Sequence, residues 1–451
     1  MTVTFEHQNT IYRDFDIRGK YPEEITDEEV YKIAKALVLH FSVKRVAIGY
    51  DERPSALPLS RSLTKGFVES GVKVLDIGKC TTPMSYYMCG LPDVDMAVMI
   101  TASHLPSNYN GLKITVADVK PVSKEVLQII KEIVGNHTFS EEVTHGSVTS
   151  HAMQSDWIAT FKKNHDLTGA GLSIVVDPAN MIGILEIDTF KAFEPDLTVY
   201  SIFDTFDHTC PNHEANPIKF ETLHSLGAEV IAKKANLGVA FDGDADRVGF
   251  VDAVGKPVPS DIIGALLCRV MLAKYPGATI VCDVRATRSV VDEVTRLGGT
   301  IVREKVGHTN IRSRMRAEDA VFGLELSGHF FFKETNFSEG GSLPVFLILE
   351  LLKAEQKTLS QLVTQVQTYH HSGEINSTIS RSIAAIYASI EETYSDQAIS
   401  YPDGITITAN DWWCNVRPSA NDPVMRLNIE ATTHAVMVEK RDELLQVIRS
   451  T

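Results

Sequence analysis

The chain has 451 residues, of which 44% are hydrophobic and 22% are charged, and its formal net charge is −15. Since domains usually hold about 100–200 residues, this length predicts three or four of them. The acidic balance argues against a nucleic-acid surface, and any site for an anionic ligand must be a local basic cluster.

No export or membrane segment is predicted. The polar start, MTVTFEHQNT, does not resemble a signal peptide, and the longest apolar run, 343–352, contains Pro344 and Glu350 and is too short to span a bilayer. The six cysteines form no CxxC pair and no metal-finger spacing. They indicate reduced thiols, so we predict a cytoplasmic protein. Together with the acidic charge and the lack of a long apolar run, this predicts a protein that binds neither nucleic acid nor membranes.

An apolar strand that ends in aspartate occurs three times, at 46–51, 173–177 and 279–283. Helical patterns at 59–70 and 290–297 follow the first and third strands, and a glycine and a second strand come after each of them. The second unit returns more loosely, at 196–200. The pattern predicts three related α/β domains.

The C-terminal part has a different pattern. Short strands are predicted at 375–379, 404–408 and 426–431, and a helix is predicted at 439–449, which together indicate a separate α+β domain. Breaks in the pattern near 150, 255 and 368 predict domains at 1–150, 151–255, 256–368 and 369–451.

The segment 101–113 follows the apolar run 96–100 and contains Ser103 beside His104. A serine in a strand-to-loop turn next to a histidine can be a nucleophile, although a helix-capping serine is the commoner role. The segment contains no GxSxG motif, which argues against an acyl-transfer hydrolase.

Three aspartates, Asp242, Asp244 and Asp246, alternate directly after the apolar run 237–241 and precede Arg247. In an extended loop alternate side chains point the same way, so the three carboxylates can converge on Mg²⁺ or Ca²⁺. An EF-hand is excluded because Arg247 and Ala253 stand where it needs Gly and Glu. A DxDx(T/V) phosphatase motif matches only in part, since its fifth position here is Asp246.

Two further segments suit a sugar phosphate. In 323–329 the residues Glu325, Ser327 and His329 alternate, as hydroxyl-binding groups do. The segment 417–426 combines two arginines with Ser419 and Asn421 in a proline-punctuated backbone. That combination suits a phosphate cradle.

Taken in order, six segments resemble the α-D-phosphohexomutase superfamily, and within it the phosphomannomutase/phosphoglucomutase branch. They are 16–19, 101–113, 207–217, 242–247, 322–329 and 417–426. This sequence departs from the family pattern at Leu105, Ala245, Leu324 and Asn421-Asp422. The resemblance implies four domains around a central cleft, three related α/β domains followed by an α+β domain.

The resemblance also implies an activity. Ser103 would rest as a phosphoserine, bound with Asp242, Asp244 and Asp246 to one Mg²⁺. The enzyme would give its phosphoryl group to a hexose monophosphate and form a hexose 1,6-bisphosphate. That intermediate would turn around and return the other phosphate, with glucose 1,6-bisphosphate as the activator.

Further roles carried over from the family divide into catalytic and substrate-binding groups. Arginine holds its proton too tightly to transfer it, so Arg18 and Arg247 are interpreted as electrostatic clamps and His308 or Lys113 as the proton carrier. His329 completes the catalytic candidates. The substrate-binding candidates are Arg285, Lys305, Glu325, Ser327, Arg417, Ser419, Asn421 and Arg426.

Glucose and mannose differ only at C2, so a site that grips O3 and O4 is expected to accept both. Phosphoglucosamine mutase is the alternative, and Leu326 together with the N-terminal element 14–19 argues against it. From other classes, an inactive sugar-phosphate-binding protein and a plain phosphatase remain. The sequence leaves both a monomer and a homodimer open.

Overall fold

The computed structural model describes residues 11–13, 15–139, 145–419 and 424–450. These residues form four β-sheets, and each sheet is built from one continuous stretch of the chain. In the part of the chain that is described, no helix combines the length and apolarity needed to cross a bilayer.

The first domain is a mixed sheet with helices on its faces. Its strand order is β1-β5-β4-β2-β3-β7, with β6 beside β5, and β2 runs parallel to β3 and β4. The strands are Ile17–Lys20 (β1), Arg45–Tyr50 (β2), Lys73–Lys79 (β3), Met96–Ile100 (β4), Tyr109–Val116 (β5), Lys120–Pro121 (β6) and Ser147–Ser150 (β7). The helices are Asp27–Phe41 (α1), Ala56–Glu69 (α2), Thr82–Cys89 (α3) and Lys124–Asn136 (α4).

The second domain repeats this topology in a shorter form, with strand order β12-β11-β10-β8-β9. Its strands are Leu172–Asp177 (β8), Leu197–Ser201 (β9), Leu237–Phe241 (β10), Val248–Asp252 (β11) and Pro257–Val258 (β12). Its helices are Met153–Asn164 (α5), Ile184–Lys191 (α6) and His224–Lys233 (α7). The sheet thus extends just beyond the predicted boundary at 255.

The third domain has the order β14-β13-β15-β16-β17. Its strands are Thr279–Asp283 (β13), Thr300–Glu304 (β14), Phe322–Leu324 (β15), Phe330–Phe332 (β16) and Ser338–Glu339 (β17). Its helices are Ser260–Lys274 (α8), Arg288–Arg296 (α9), His308–Ala317 (α10), Leu343–Glu355 (α11) and Leu359–Val366 (α12).

The three α/β domains share one local device. Asp177 and Asp283 end their strands, and Asp51 directly follows β2. Each carboxylate accepts a hydrogen bond from the backbone N–H two residues on, at 3.0 Å for Asp51, 2.9 Å for Asp177 and 2.7 Å for Asp283. Each aspartate therefore fixes the turn at the carboxyl end of a parallel strand, the edge where open α/β sheets bind ligands. The predicted triplication of an α/β unit is confirmed.

The fourth domain is an antiparallel sheet of order β18-β22-β21-β20-β19 with two helices. Its strands are His370–Thr378 (β18), Ala398–Ser400 (β19), Ile405–Thr408 (β20), Trp412–Pro418 (β21) and Val424–Ala431 (β22), and its helices are Ile383–Thr393 (α13) and His434–Arg449 (α14). The predicted α+β class is confirmed. β21 was not predicted, because Pro418 at its end is typical of a loop.

The first three domains share one hydrophobic core, and the fourth domain has a core of its own. One continuous cluster of buried side chains includes Met99 from the first domain, Phe241 from the second and Phe346 from the third. The fourth domain has a separate cluster around Trp412 and Leu444. It meets the third domain partly through Glu430, which accepts hydrogen bonds from Thr287 and from the Arg288 backbone.

Candidate active site

The aspartate loop between β10 and β11 is a compact turn. The backbone N–H of Ala245 donates to the Asp242 carbonyl oxygen at 3.1 Å, and Ala245 has a left-handed φ of 58°. Asp242 Oδ1 accepts from the N–H groups of Asp246 and Arg247 at 3.1 and 3.2 Å. The carboxylates therefore converge because the chain turns. The predicted extended alternation is wrong, although it points to the same three residues.

Ser103 lies against this loop, in the turn between β4 and β5. Its backbone has a left-handed φ of 53°, and its N–H donates to Thr101 Oγ1 at 2.8 Å. Its hydroxyl donates to Asp242 Oδ2 at 2.7 Å. A Cβ at Gly243 would lie 2.2 Å from the Ser103 carbonyl oxygen, so the two loops touch at a point where only glycine fits.

Arg53 supports the turn that carries Ser103, a role that was not predicted from the sequence. Its guanidinium donates to four carbonyl oxygens of the turn, at 2.6–3.0 Å, and its Nε donates to buried Asp51 at 3.1 Å. Such an array fixes the turn because a buried carbonyl without a partner is costly. The only signal in the sequence was a charged residue two positions after a strand-ending aspartate.

Charge is distributed unevenly over the aspartates. Lys113 Nζ donates to Asp244 at 2.6 Å and to Asp246 at 2.5 Å. Burial alone would lower the pKa of Lys113, but these two carboxylates raise it well above its usual range. The pKa of Asp242 is raised well above normal by burial and by the negative charges of Asp246 and Asp244. The pKa of Asp246 is held well below normal, because the positive charges of Lys113 and His329 outweigh the effect of burial.

The residues present fit a divalent cation. Oxygen atoms of Asp242, Asp244 and Asp246 lie within 4.8 Å of one another, and all three residues are buried. Asp244 Oδ1 is buried and has no hydrogen-bond partner among the described residues. Three carboxylates beside a serine oxygen form the hard donor set that Mg²⁺ prefers.

The predicted sugar loop joins the aspartate loop through one histidine. His329 Nε2 lies 3.3 Å from Asp246, and Nδ1 lies 3.0 Å from Glu325. Burial alone would lower the pKa of His329, but Asp246 and Glu325 raise it to about 9. The Ser327 hydroxyl is 3.0 Å from the same ring, and the Gly307 N–H donates to Glu325 at 2.8 Å. The structure thus brings these three predicted residues together.

His308 begins α10 and faces a buried ion pair that the sequence analysis did not find. Its Nδ1 lies 3.6 Å from Glu339, which is also 3.6 Å from Arg312. Burial, with Arg312 and Lys113 adding positive charge, holds the pKa of His308 well below its usual range. His308 is therefore neutral near pH 7.

Two predicted clamp residues line the same region. Arg18, on β1, pairs with Asp16, and this partner outweighs burial and raises the pKa of Arg18. The Nε of Arg247 lies 3.2 Å from His329 Nε2. Arg247 and burial together lower the pKa of His104 to about 2, which keeps the neighbour of Ser103 uncharged.

Three predicted phosphate-binding arginines meet where the third and fourth domains face each other. Arg285 is held by Asp283, while Arg417 on β21 and Arg426 on β22 are directly paired across the sheet. All three surround Glu374, a residue that the sequence analysis did not single out. A cavity of about 330 Å³ beside them is lined by Leu326, Arg285 and Glu374.

Three predicted substrate-binding residues remain, and the structure describes two of them, Ser419 and Lys305. Ser419 is buried at the end of β21, and its N–H donates to the Val424 carbonyl. Lys305 is exposed, and its N–H donates to Glu304. Asn421 lies outside the described residues.

The fold and the site define a class of protein: a multidomain phosphoryl-transfer enzyme that assembles a serine, a carboxylate cation site and an arginine cluster from separate domains. Family models for the α/β/α domains I, II and III of phosphoglucomutase/phosphomannomutase match residues 10–141, 155–255 and 259–369. The chain belongs to the phosphoglucomutase/phosphomannomutase family.

Relatives match over nearly the full length. The chain is 33% identical to a phosphomannomutase of Escherichia coli K12, covering 97% of this chain and 98% of that protein. It is 31% identical to a phosphomannomutase of Methanocaldococcus jannaschii, covering 97% of each. A solved phosphoglucomutase/phosphomannomutase family protein of Burkholderia thailandensis superimposes with a TM-score of 0.89 at 26% identity, covering 98% of each chain. This chain is a hexose phosphate mutase, an isomerase of a metal-dependent family.

Proposed function

We propose that the enzyme interconverts the 1- and 6-phosphates of mannose and glucose through phosphorylated Ser103 and a hexose 1,6-bisphosphate. The observation that carries this proposal is the bridge made by His329, which contacts Asp246 of the cation site and Glu325 of the sugar loop. A sugar held by Glu325 and Ser327 would then have its reacting end beside Ser103.

The need for a bisphosphate follows from geometry. Direct movement of one phosphoryl group from C1 to C6 of the same sugar would span too great a distance for in-line transfer. A donor serine at one end of the cleft and an arginine cluster at the other allow the sugar to react at either end. The arginines Arg285, Arg417 and Arg426 hold the phosphate that is not reacting, and Ser419, Asn421 and Lys305 are the further proposed ligands of that phosphate.

The chain's own groups have separate tasks in the transfer. The carboxylates of Asp242, Asp244 and Asp246 would hold a Mg²⁺ ion, which would supply positive charge beside the oxygens of the transferring group. Arg18 and Arg247 add fixed charge beside it. Lys113 stays protonated between Asp244 and Asp246, so neutral His308 is the better acceptor for the proton of the attacking hydroxyl.

The substrate is tested by direct assay. Purified enzyme with Mg²⁺ and a trace of glucose 1,6-bisphosphate is given the 1-phosphates of mannose, glucose and glucosamine separately, and each 6-phosphate is quantified. We expect comparable kcat/KM for mannose and glucose. A preference for glucosamine above about tenfold, or about 1.4 kcal/mol, contradicts the sugar assignment. Release of inorganic phosphate without isomerisation indicates a phosphatase.

Replacing His308 by glutamine tests the proton carrier. We expect kcat/KM to fall about 10²–10⁴-fold, the range for a lost general base. Because its pKa lies below 6.5, wild-type activity should persist as pH falls through 6.5 and decline only at lower pH. That acidic decline should be absent in the variant. His224→Gln, at an exposed histidine, is the control and should leave the pH profile unchanged. An unaltered acidic limb in His308→Gln moves the role to Lys113.

Glucose 1,6-bisphosphate is the proposed activator because it can transfer a phosphoryl group to an unphosphorylated Ser103.

A reducing, cytoplasmic location is consistent with the cysteines, since all six are free thiols. The site lies within one chain, so a monomer or a homodimer would be equally competent.

A further inference from the structure

Glu374 occupies the centre of the arginine cluster. Its carboxylate oxygens lie 2.9 Å from Arg417, 3.3 Å from Arg426 and 3.6 Å from Arg285. The three guanidinium groups come from two domains, and Glu374 is the one carboxylate, among the described ion pairs, that joins all of them. Its position is therefore the one that the oxygens of a bound phosphate would take.

A β-bulge aims this carboxylate at the arginines. The pairing of β18 with β22 shifts between His371 and Glu374, so Ser372 and Gly373 together face Ile429. Gly373 has a left-handed φ of 70°, and the Ser372 hydroxyl accepts the N–H of Ile429 at 3.2 Å. Bulges redirect side chains beside active sites, and this one is supported by its own hydrogen bond.

The cluster needs an anion. Arg417 and Arg426 are opposite each other in an antiparallel pair, where like charges repel. Arg285 adds a third positive charge, and burial followed by Arg285 lowers the pKa of Arg417. A negative group among them is therefore strongly favoured, whether it is a carboxylate or a phosphate.

Glu374 is not required to hold all the arginines in place. Arg285 is anchored by Asp283 at 2.5 and 3.1 Å, and the pairing of β21 with β22 fixes the backbones of the other two arginines. The Glu374 side chain is 24% exposed and borders the 330 Å³ cavity, so it has room to withdraw. These features suit an anion that gives way to a ligand.

We propose that Glu374 is a built-in competitor for the non-reacting phosphate, an inference that rests on the proposed function. Its carboxylate neutralises the arginine cluster when the phosphate is absent and leaves when the phosphate binds. When the bisphosphate intermediate turns around, the returning carboxylate offsets the loss of phosphate contacts. Glu374 is thus a positioning residue that lowers the affinity for the non-reacting phosphate and thereby favours the release of that phosphate from the arginines.

The test is Glu374→Gln, which keeps the shape and removes the charge. Titration calorimetry with inorganic phosphate, on the Mg²⁺-loaded enzyme, is expected to show about tenfold tighter binding, or about 1.4 kcal/mol. In turnover, KM and kcat should fall together, because the substrate binds more tightly and the intermediate turns more slowly. Equal or weaker phosphate binding overturns the proposal and makes Glu374 a permanent structural partner of the arginines.

Three controls isolate the effect. Glu439→Gln makes the same charge change at an exposed position of α14 and should leave phosphate binding unchanged. Adding Arg417→Met to Glu374→Gln should remove the gain in phosphate affinity. A gain that persists in this double variant comes from another site and overturns the proposal. If Glu374→Gln does not fold, Glu374→Asp is used instead, because its shorter side chain withdraws the carboxylate from the arginines. Glu374→Asp should give a smaller gain in phosphate affinity, and no gain in this variant overturns the proposal. The phosphate titration needs no turnover, so it separates this inference from a failure of the mutase activity.

Discussion

Replacement of Ser103 by alanine is expected to abolish the interconversion of hexose 1- and 6-phosphates. The fall in kcat should be on the order of 10⁴ or more, as for other lost nucleophiles. The reason is that, in the proposed mechanism, the phosphoryl group is carried by the Ser103 hydroxyl, which donates a hydrogen bond to Asp242 at 2.7 Å. Turnover and intact protein mass, with and without added glucose 1,6-bisphosphate, measure the effect.

The control is Ser107→Ala, which removes a hydroxyl from the same turn. It should retain both activity and the mass of one added phosphoryl group, whereas Ser103→Ala should lose both and should not be rescued by the bisphosphate. Normal turnover in Ser103→Ala would exclude the phosphoserine mechanism.

Asp244→Asn is expected to have the second largest effect. Asp244 receives hydrogen bonds from Thr82 and Lys113 at 2.6 Å each and still has a buried oxygen directed at the cation site. Losing one of three carboxylates should raise the Mg²⁺ concentration for half-maximal activity at least about tenfold and lower kcat about 10²-fold. It should also shrink the rise in Tm that Mg²⁺ produces, because a ligand stabilises the folded state according to its affinity.

Asp252→Asn separates this effect from a general loss of stability. Asp252 is also a buried aspartate of the second domain, but it accepts bonds from Val254, Lys256 and Ser360 and lies at the other end of β11. Its variant should lower Tm and leave the Mg²⁺ dependence unchanged. An unchanged Mg²⁺ requirement in Asp244→Asn contradicts the assignment of this ligand.

Patterns that are local in the chain could be read from the sequence. The strand-ending aspartates and the Asp242–Asp246 ladder each combine a buried strand with charged residues within a few positions, so hydrophobic periodicity and residue chemistry were enough. The resemblance to a family then supplied distant partners such as His308 and Arg417. The conformation of the aspartate loop was predicted wrongly, because the left-handed backbone at Ala245 turns a loop that was expected to be extended.

Single charged residues with distant partners could not be predicted. Glu339 and Glu374 look like ordinary surface charges in the sequence, and Arg53 is marked only by its position two residues after the aspartate that follows a strand. Their roles arise from contacts across loops and domains. The bulge that directs Glu374 depends on the register of β18 against β22, which the sequence pattern does not specify.

The arrangement of the hydrophobic cores has a consequence for how the chain unfolds. The three α/β domains share one buried cluster, so separating any of them would expose apolar surface on its neighbours. The fourth domain keeps its own core and is attached largely by polar contacts such as those of Glu430. A single denaturation midpoint therefore describes this protein poorly, since its C-terminal part can melt as an independent cooperative unit while the cation site remains intact.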